Sequence, residues 1–302
     1  MTKLFFIKII WVLFFYIIFS LKLVWAGELF VEQVFKNIFM VSPQGFEGTN
    51  SVFIVTDEGV LLVDSGNSPD EALKILAEIR RHTMKPVRFL INTHYFGSHT
   101  FGNSIFRNEG AVIIGHRNVQ RALAGKRGKM ELKRLENIGI LGLDRSVIVP
   151  PNMVFEKRLE IILGGYQIHL ISLGRALTDG DVLVYLPDFK TLIAGGIVSN
   201  KVIPRLAESD IENWVKILGT FDNFKIEIIL PGSGPIGEKP TAIQMRHYLL
   251  DLKEQILFQK GGRLQEISRK TLSFFKKKYG NWKKQNRMED NIRKVFKDLI
   301  SQ

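Results

Sequence analysis

The sequence predicts a mixed α/β (α+β) fold in which two β-sheets pack face to face with helices outside. Three observations predict it. Short apolar runs bounded by Gly, Pro, Asn and Asp recur along the 302-residue chain. In each half of the chain, strand-like runs are followed by helical stretches. Two tight hairpins, at 52–63 and 158–172, require largely antiparallel or mixed sheets. Composition, 45% hydrophobic and 24% charged, suits one large domain or two small ones. The chain has no cysteine, so disulfides and thiolate metal sites are excluded and any metal would be held by His, Asp or Glu.

In chain order, Leu29 to Phe35 and Ile38 to Val41 read as short strands broken by Lys36-Asn37. Residues 52–56 form the next, and Asp57-Glu58-Gly59 turns the chain into Val60 to Val63. Ser68-Pro69-Asp70 starts a helix reaching His82, with Leu73, Ile75, Leu76 and Ile79 at helical spacing. Lys85-Pro86 breaks it ahead of a buried strand, Phe89 to Ile91. Ala111 to Ile114 is a strand, and helices follow over Asn118 to Leu123 and Lys129 to Ile138. After Pro150-Pro151 come strands at Arg158 to Leu163, Tyr166 to Ser172, Val182 to Leu186 and Thr191 to Ala194. Ser209-Asp210 caps a helix from Ile211 to Phe221, Ile226 to Leu230 is the last strand, and the chain beyond about Thr241 reads as helix. No Gly-rich phosphate loop and no short-period repeat is present.

The two ends differ from this body. Lys3 and Lys8 precede the apolar run Ile9 to Leu21, and Val24-Trp25-Ala26 resembles a small-residue cleavage site before Gly27. That pattern predicts a signal peptide over residues 1–26 and a periplasmic or secreted protein, the alternative being an N-terminal membrane anchor. Formal net charge is +12, and residues 260–302 hold 13 Lys or Arg against 4 Asp or Glu. The sequence therefore divides into the signal, a domain over 27–260 and a basic helical extension over 261–302. The extension interleaves Phe274, Phe275, Tyr279, Trp282 and Phe296 with cations. It reads as amphipathic helices with aromatic faces on the domain and charges in solvent, with contact to an anionic surface as the alternative. In an exported protein this argues against nucleic acid.

Residues 88–103, RFLINTHYFGSHTFGN, carry the clearest functional signal. The strand opens into a loop that holds His94 and His99, the kind of strand-end loop where α/β proteins present chemistry. His116 falls in a second strand-end loop and is a candidate to face the same pocket. Ser98 beside His99, or Ser233 with His94, could in principle pair a nucleophile with a base, but no nucleophile elbow or S-x-x-K pattern accompanies them.

Five landmarks in order resemble the metallo-β-lactamase fold: Gly48-Thr49-Asn50 with the strand ending Asp64-Ser65-Gly66; Asn92-Thr93-His94; Gly174 to Asp181; Leu192 to Gly196; and Pro231 to Pro235. The stretches VRFLINTH, TFGNSIF and IIGHRNVQRALAG are most similar to the branch described as quinoprotein-relay zinc metallohydrolases. The resemblance implies an αββα sandwich, a zinc-dependent hydrolase ancestry, and a periplasmic small-molecule or protein partner. It implies a metal motif H-x-H-x-D-H, of which His94 and His99 keep the first and last positions. Phe96 and Ser98 stand at the two positions between, Leu177 at the second motif's histidine, Gly196 at the bridging aspartate and Ser233 at the last histidine. Asp64 and Asp181 correspond to structural acids that bond loop N–H groups. Phe96 and Leu177 offer no lone pair, and a catalytic zinc needs about three protein ligands. The expectation is a degenerate metal site, no cofactor, and a non-catalytic binding or accessory role. The alternative is a hydrolase with an altered or single-metal site that uses zinc.

Overall fold

The computed structural model describes residues 29–46, 48–259 and 261–300. The signal expected at 1–26 lies outside the described residues. Strands β1 (Leu29–Phe35), β2 (Ile38–Pro43), β3 (Ser51–Thr56) and β4 (Gly59–Val63) form an antiparallel meander. Helix α1 (Pro69–His82) then crosses over to β5 (Val87–Asn92), which pairs parallel to β4. Its start is specified locally: the Ser68 hydroxyl accepts from the Glu71 N–H, Pro69 opens the helix, and Asp70 and Glu71 occupy the positive end.

Two short helices follow, α2 (Gly97–Thr100) and α3 (Asn103–Asn108), then β6 (Val112–His116), α4 (Arg117–Ala124), α5 (Lys126–Asn137) and the edge strand β7 (Met153–Phe155). The first sheet has seven strands, ordered β1 to β7. The second sheet contains β8 (Arg158–Leu163), β9 (Tyr166–Ile171), β10 (Leu183–Leu186), β11 (Thr191–Ser199) and, after helix α6 (Ile211–Gly219), β12 (Ile228–Ser233). Its order is β12-β11-β10-β9-β8, antiparallel except for the β11–β12 pair. Helices α7 (Lys239–Leu257), α8 (Leu264–Tyr279) and α9 (Met288–Ile300) complete the described chain.

The layers explain why several strands read as unbroken apolar runs rather than alternating ones. In β2, Ile38 and Met40 face the second sheet while Phe39 and Val41 face α1, and all four are buried. Ile54, Leu61, Ile91 and Ile114 meet Ile168, Val184, Ile193 and Leu230 between the sheets. Leu183, Leu192 and Ala194, on the outer side of the second sheet, pack with Trp214, Met245, Leu249 and Phe275 of the helices. The result is the αββα sandwich the sequence predicts.

The basic extension lies against this outer layer. Trp282 stacks on Tyr248 with ring centroids 5.1 Å apart, and Phe275 and Tyr279 meet the same ring edge-on. The Ile203 N–H donates to the Lys283 carbonyl (3.0 Å) and the Lys283 N–H to the Lys201 carbonyl (2.9 Å). Several extension cations are paired at the surface, as Lys278 with Asp251 (2.6 Å) and Lys270 with Glu266 (2.8 Å).

Three local features differ from the sequence expectation. The loop after β5 contains α2 and α3, each too short to show a hydrophobic period. β7 has three residues and no alternation to recognise. β11 runs on to Ser199 through a register shift at Gly195. Gly195 sits at φ +48°, and a Cβ there would lie 2.5 Å from the Thr93 side chain, so only glycine lets the second sheet come this close to the end of β5.

Candidate active-site pocket

The site forms where β4, β5 and β11 end. Asp64, the residue after β4, is buried at φ +60°. Its Oδ1 accepts from the Thr93 N–H (2.8 Å), and its Oδ2 accepts from the Thr93 hydroxyl (2.7 Å) and from His99 Nδ1 (2.7 Å). Asp64 therefore bonds a loop N–H, as a structural acid would, and also holds an imidazole.

Thr93 spends its proton on Asp64, so its oxygen accepts from His94 Nδ1 at 2.9 Å. This network assigns the His94 proton to Nδ1 and leaves Nε2 with a bare lone pair. That atom is buried and has no hydrogen-bond partner among the described residues. Burial, and then the charges of His99 and Arg205, hold His94 well below the ordinary imidazole range, so it is neutral. The rings of His94 and His99 have centroids 4.2 Å apart. With Nδ1 turned to Asp64, the opposite edge of His99 faces the cavity.

Of the residues expected around the cavity, Phe96, Ser98, Leu177, Gly196 and Ser233 all line it together with His94 and His99. Phe96 is edge-on to His94, with centroids 5.1 Å apart. A Cβ on Gly196 would lie 2.3 Å from Leu177 Cδ2 and 3.0 Å from His94 Cε1. Leu177 therefore fills the space that a larger residue at 196 would need, and the two positions are matched to each other in volume. Among the described residues neither the Ser98 nor the Ser233 hydroxyl bonds an imidazole, so Asp64–His99 is a base-and-orienter pair without a nucleophile. Asp181 is buried beside the pocket and accepts from the Ala176 and Thr178 N–H groups and the Thr178 hydroxyl. Burial pushes it up to about 7 against the pull of those bonds.

His116 is a correction. It caps α4 by accepting from the Asn118 N–H (3.1 Å) and lines a separate surface hollow with Arg117, Arg121 and Arg158. The imidazole satisfies its own helix instead of lining the cavity.

Sequence reasoning missed the other wall. Arg134 of α5, Arg205 from the segment after β11, and Lys284 and Arg287 of the extension all line the cavity. Glu131, buried beneath them, takes Arg205 at 2.6 Å and Arg134 at 2.9 Å. The Arg205 guanidinium lies 4.3 Å above the Phe96 ring. Arg287 donates to the Ile203 carbonyl (2.9 Å), and burial, with the charges of Arg134 and Arg205, lowers it to about 10. Nothing in residue spacing relates these four cations, which come from three distant segments.

Asp64, His94 and His99 offer donor atoms within 4.8 Å of one another and are a candidate metal group. The ligand count made from sequence left two imidazoles and did not include Asp64. Asp64 approaches His99 from its Nδ1 side, where a carboxylate orients an imidazole, and two donors already occupy its Oδ2.

Comparison with known proteins agrees with this architecture. The family model of the Metallo-beta-lactamase superfamily matches residues 44–233. The linear primary-alkylsulfatase of a Pseudomonas species is 25% identical over 214 residues, a match covering 60% of this chain and only 40% of that relative. A type 2 metallo-beta-lactamase of Bacillus cereus is 24% identical over 226 residues, covering 71% of this chain and 80% of the relative. The structure of a metallo-beta-lactamase from Pontibacter korlensis superposes with a TM-score of 0.61 at 20% identity, over 74% of this chain and 99% of that one. At such identity the superposition speaks for the fold alone. Because the family match takes in more than half of the sequence, including the whole second sheet and the His94–His99 floor of the pocket, the chain belongs to the metallo-β-lactamase superfamily.

Proposed function

We propose that this chain is an exported, non-catalytic member of its superfamily that uses the inherited pocket to bind a small molecule, as an accessory to a periplasmic quinoprotein system. The observation that carries the reading is the Leu177–Gly196 contact: a leucine methyl fills the space where a bridging carboxylate would project. The donor set supports it. Among the described residues lining the cavity only His94 and His99 carry an imidazole nitrogen able to ligate a metal, while Asp64 is engaged behind them, and a catalytic zinc takes about three protein ligands. Arg205 and Arg287 beside those imidazoles further oppose a dication. The residues present thus do not fit a hydrolytic zinc centre. The quinoprotein link is supported by the local resemblance of the β5 and β6 stretches, and export by the N-terminal pattern.

One observation favours a second reading, an altered single-metal hydrolase: the unpartnered Nε2 of His94 within the Asp64–His94–His99 group. The test is elemental analysis of the purified protein after zinc loading and gel filtration, with ester, β-lactam amide and thioester turnover assayed in parallel. We expect substoichiometric zinc and no turnover. About one retained zinc per chain with chelator-sensitive turnover establishes the second reading instead.

A further inference from the structure

We infer that the pocket binds a small organic carboxylate bearing a hydroxyl, with the carboxylate on the arginine wall and the hydroxyl donating to His94 Nε2. This rests on the proposed reading that no catalytic zinc occupies the site. Three observations converge on it.

The first is charge. Arg134, Arg205, Lys284 and Arg287 face one cavity, and Glu131 is the one carboxylate bonded to any of them among the described residues. Neither Lys284 nor Arg287 has an ion-pair partner among the described residues, and Arg287 is half-buried with one neutral acceptor, the Ile203 carbonyl. Four cations on one cavity against the single Glu131 carboxylate leave it electropositive, and planar guanidinium groups match a carboxylate fork. Lys284 and Arg287 lie outside residues 44–233, so this part of the wall is supplied by the chain's own extension rather than by the family match.

The second is the floor. His94 is 1% exposed, its Nδ1 proton is committed to Thr93, and its Nε2 is an acceptor with no donor among the described residues. A buried acceptor left unpaired is costly, and a donor group on a ligand would recover that loss. A carboxylate cannot serve there, because it too is an acceptor. A hydroxyl can.

The third is size and lining. The cavity measures about 160 Å³. An engineered cavity of about 150 Å³ holds benzene, so the body of the ligand is of that order. Phe96, Leu135, Ile140, Leu177 and Val202 give it an apolar middle between the floor and the wall. A hydroxybenzoate has these properties in one molecule.

The experiment titrates chelator-treated protein by calorimetry with 3-hydroxybenzoate, benzoate, benzylamine and inorganic phosphate at fixed ionic strength. The same titrations are repeated after zinc loading. We expect saturable binding in the order 3-hydroxybenzoate, then benzoate, with none for benzylamine or phosphate. Arg287→Met with Lys284→Met should weaken both carboxylates by about tenfold or more. His94→Phe should remove the preference for the hydroxylated ligand while benzoate binding persists. Circular dichroism of each variant confirms that it is folded. Equal binding of phosphate, binding unchanged in the double variant, or a hydroxyl preference that survives His94→Phe overturns the inference. If neither carboxylate binds and no zinc is retained, this inference alone fails. If carboxylates bind only to protein holding stoichiometric zinc, the proposed function fails with it.

Discussion

The two sides of the His94–His99 pair are built on opposite terms. Behind the rings lies a polar skeleton whose members bond one another: Asp64 to Thr93 and His99, Asn92 to Asn103, and Asn50 to the Pro231 and Gly234 carbonyls. In front lies a lining of hydrocarbon, hydroxyl and guanidinium in which the His94 Nε2 has no partner among the described residues. The skeleton ties the end of β4 to the end of β5 and the start of β3 to β12, and it is needed whether or not the cavity is filled. The polar part of the lining answers chiefly to an occupant. Replacing polar lining residues such as Ser98 therefore costs the fold little, while the skeleton beneath tolerates little change.

Substitutions can break this contrast in graded steps. Asp64→Ala should be the most damaging, since it strands the Thr93 N–H, the Thr93 hydroxyl and the His99 ring in a buried space. A loss of about 3 kcal/mol or more in denaturant unfolding is expected. Glu131→Ala comes next, at about 2 kcal/mol, because Arg134 and Arg205 lose their carboxylate but can turn toward water. Gly196→Asp forces an atom against Leu177 and should cost about 1–3 kcal/mol by overpacking, with Leu177→Ala in the same chain restoring part of it. Ser98→Ala, in the lining, should change stability by less than about 0.5 kcal/mol. If Ser98→Ala and Asp64→Ala proved equally harmful, the division into skeleton and lining would be wrong.

A pH series sharpens the same comparison. Burial alone would raise Glu131, but its hydrogen bonds from Arg134 and Arg205 and their charges hold it below the ordinary carboxylate range. The folded chain thus releases this proton more readily than the unfolded chain. The resulting stabilisation is complete above the ordinary carboxylate pKa and is lost as pH falls through the lowered one. Glu131→Gln should flatten the acid side of a stability–pH curve measured by thermal unfolding.

The layer order was readable because strands buried on both faces appear as continuous apolar runs, as at 38–41 and 60–63, punctuated by turn residues such as Asp57-Glu58-Gly59. The lining positions Phe96, Leu177, Gly196 and Ser233 were locatable only through resemblance, since nothing in a lone phenylalanine or glycine announces a former ligand position. The Asp64–His99 bond joins residues 35 positions apart, and Glu131 meets Arg205 across 74, separations at which no periodicity operates. The extension read correctly as a source of positive charge, but which of its cations turn inward depends on how Trp282 and Tyr279 dock, and that is a tertiary fact.

The docking of Lys283 between Lys201 and Ile203 has a consequence for regulation of the cavity. Because the next turn of chain brings Lys284 and Arg287 to the opening, detachment of the final forty or so residues would dismantle one side of the vestibule while leaving both sheets intact. Occupancy and attachment are therefore thermodynamically linked. A guest that touches Arg287 must slow amide exchange in the last two helices, and a protease that trims them must release the guest.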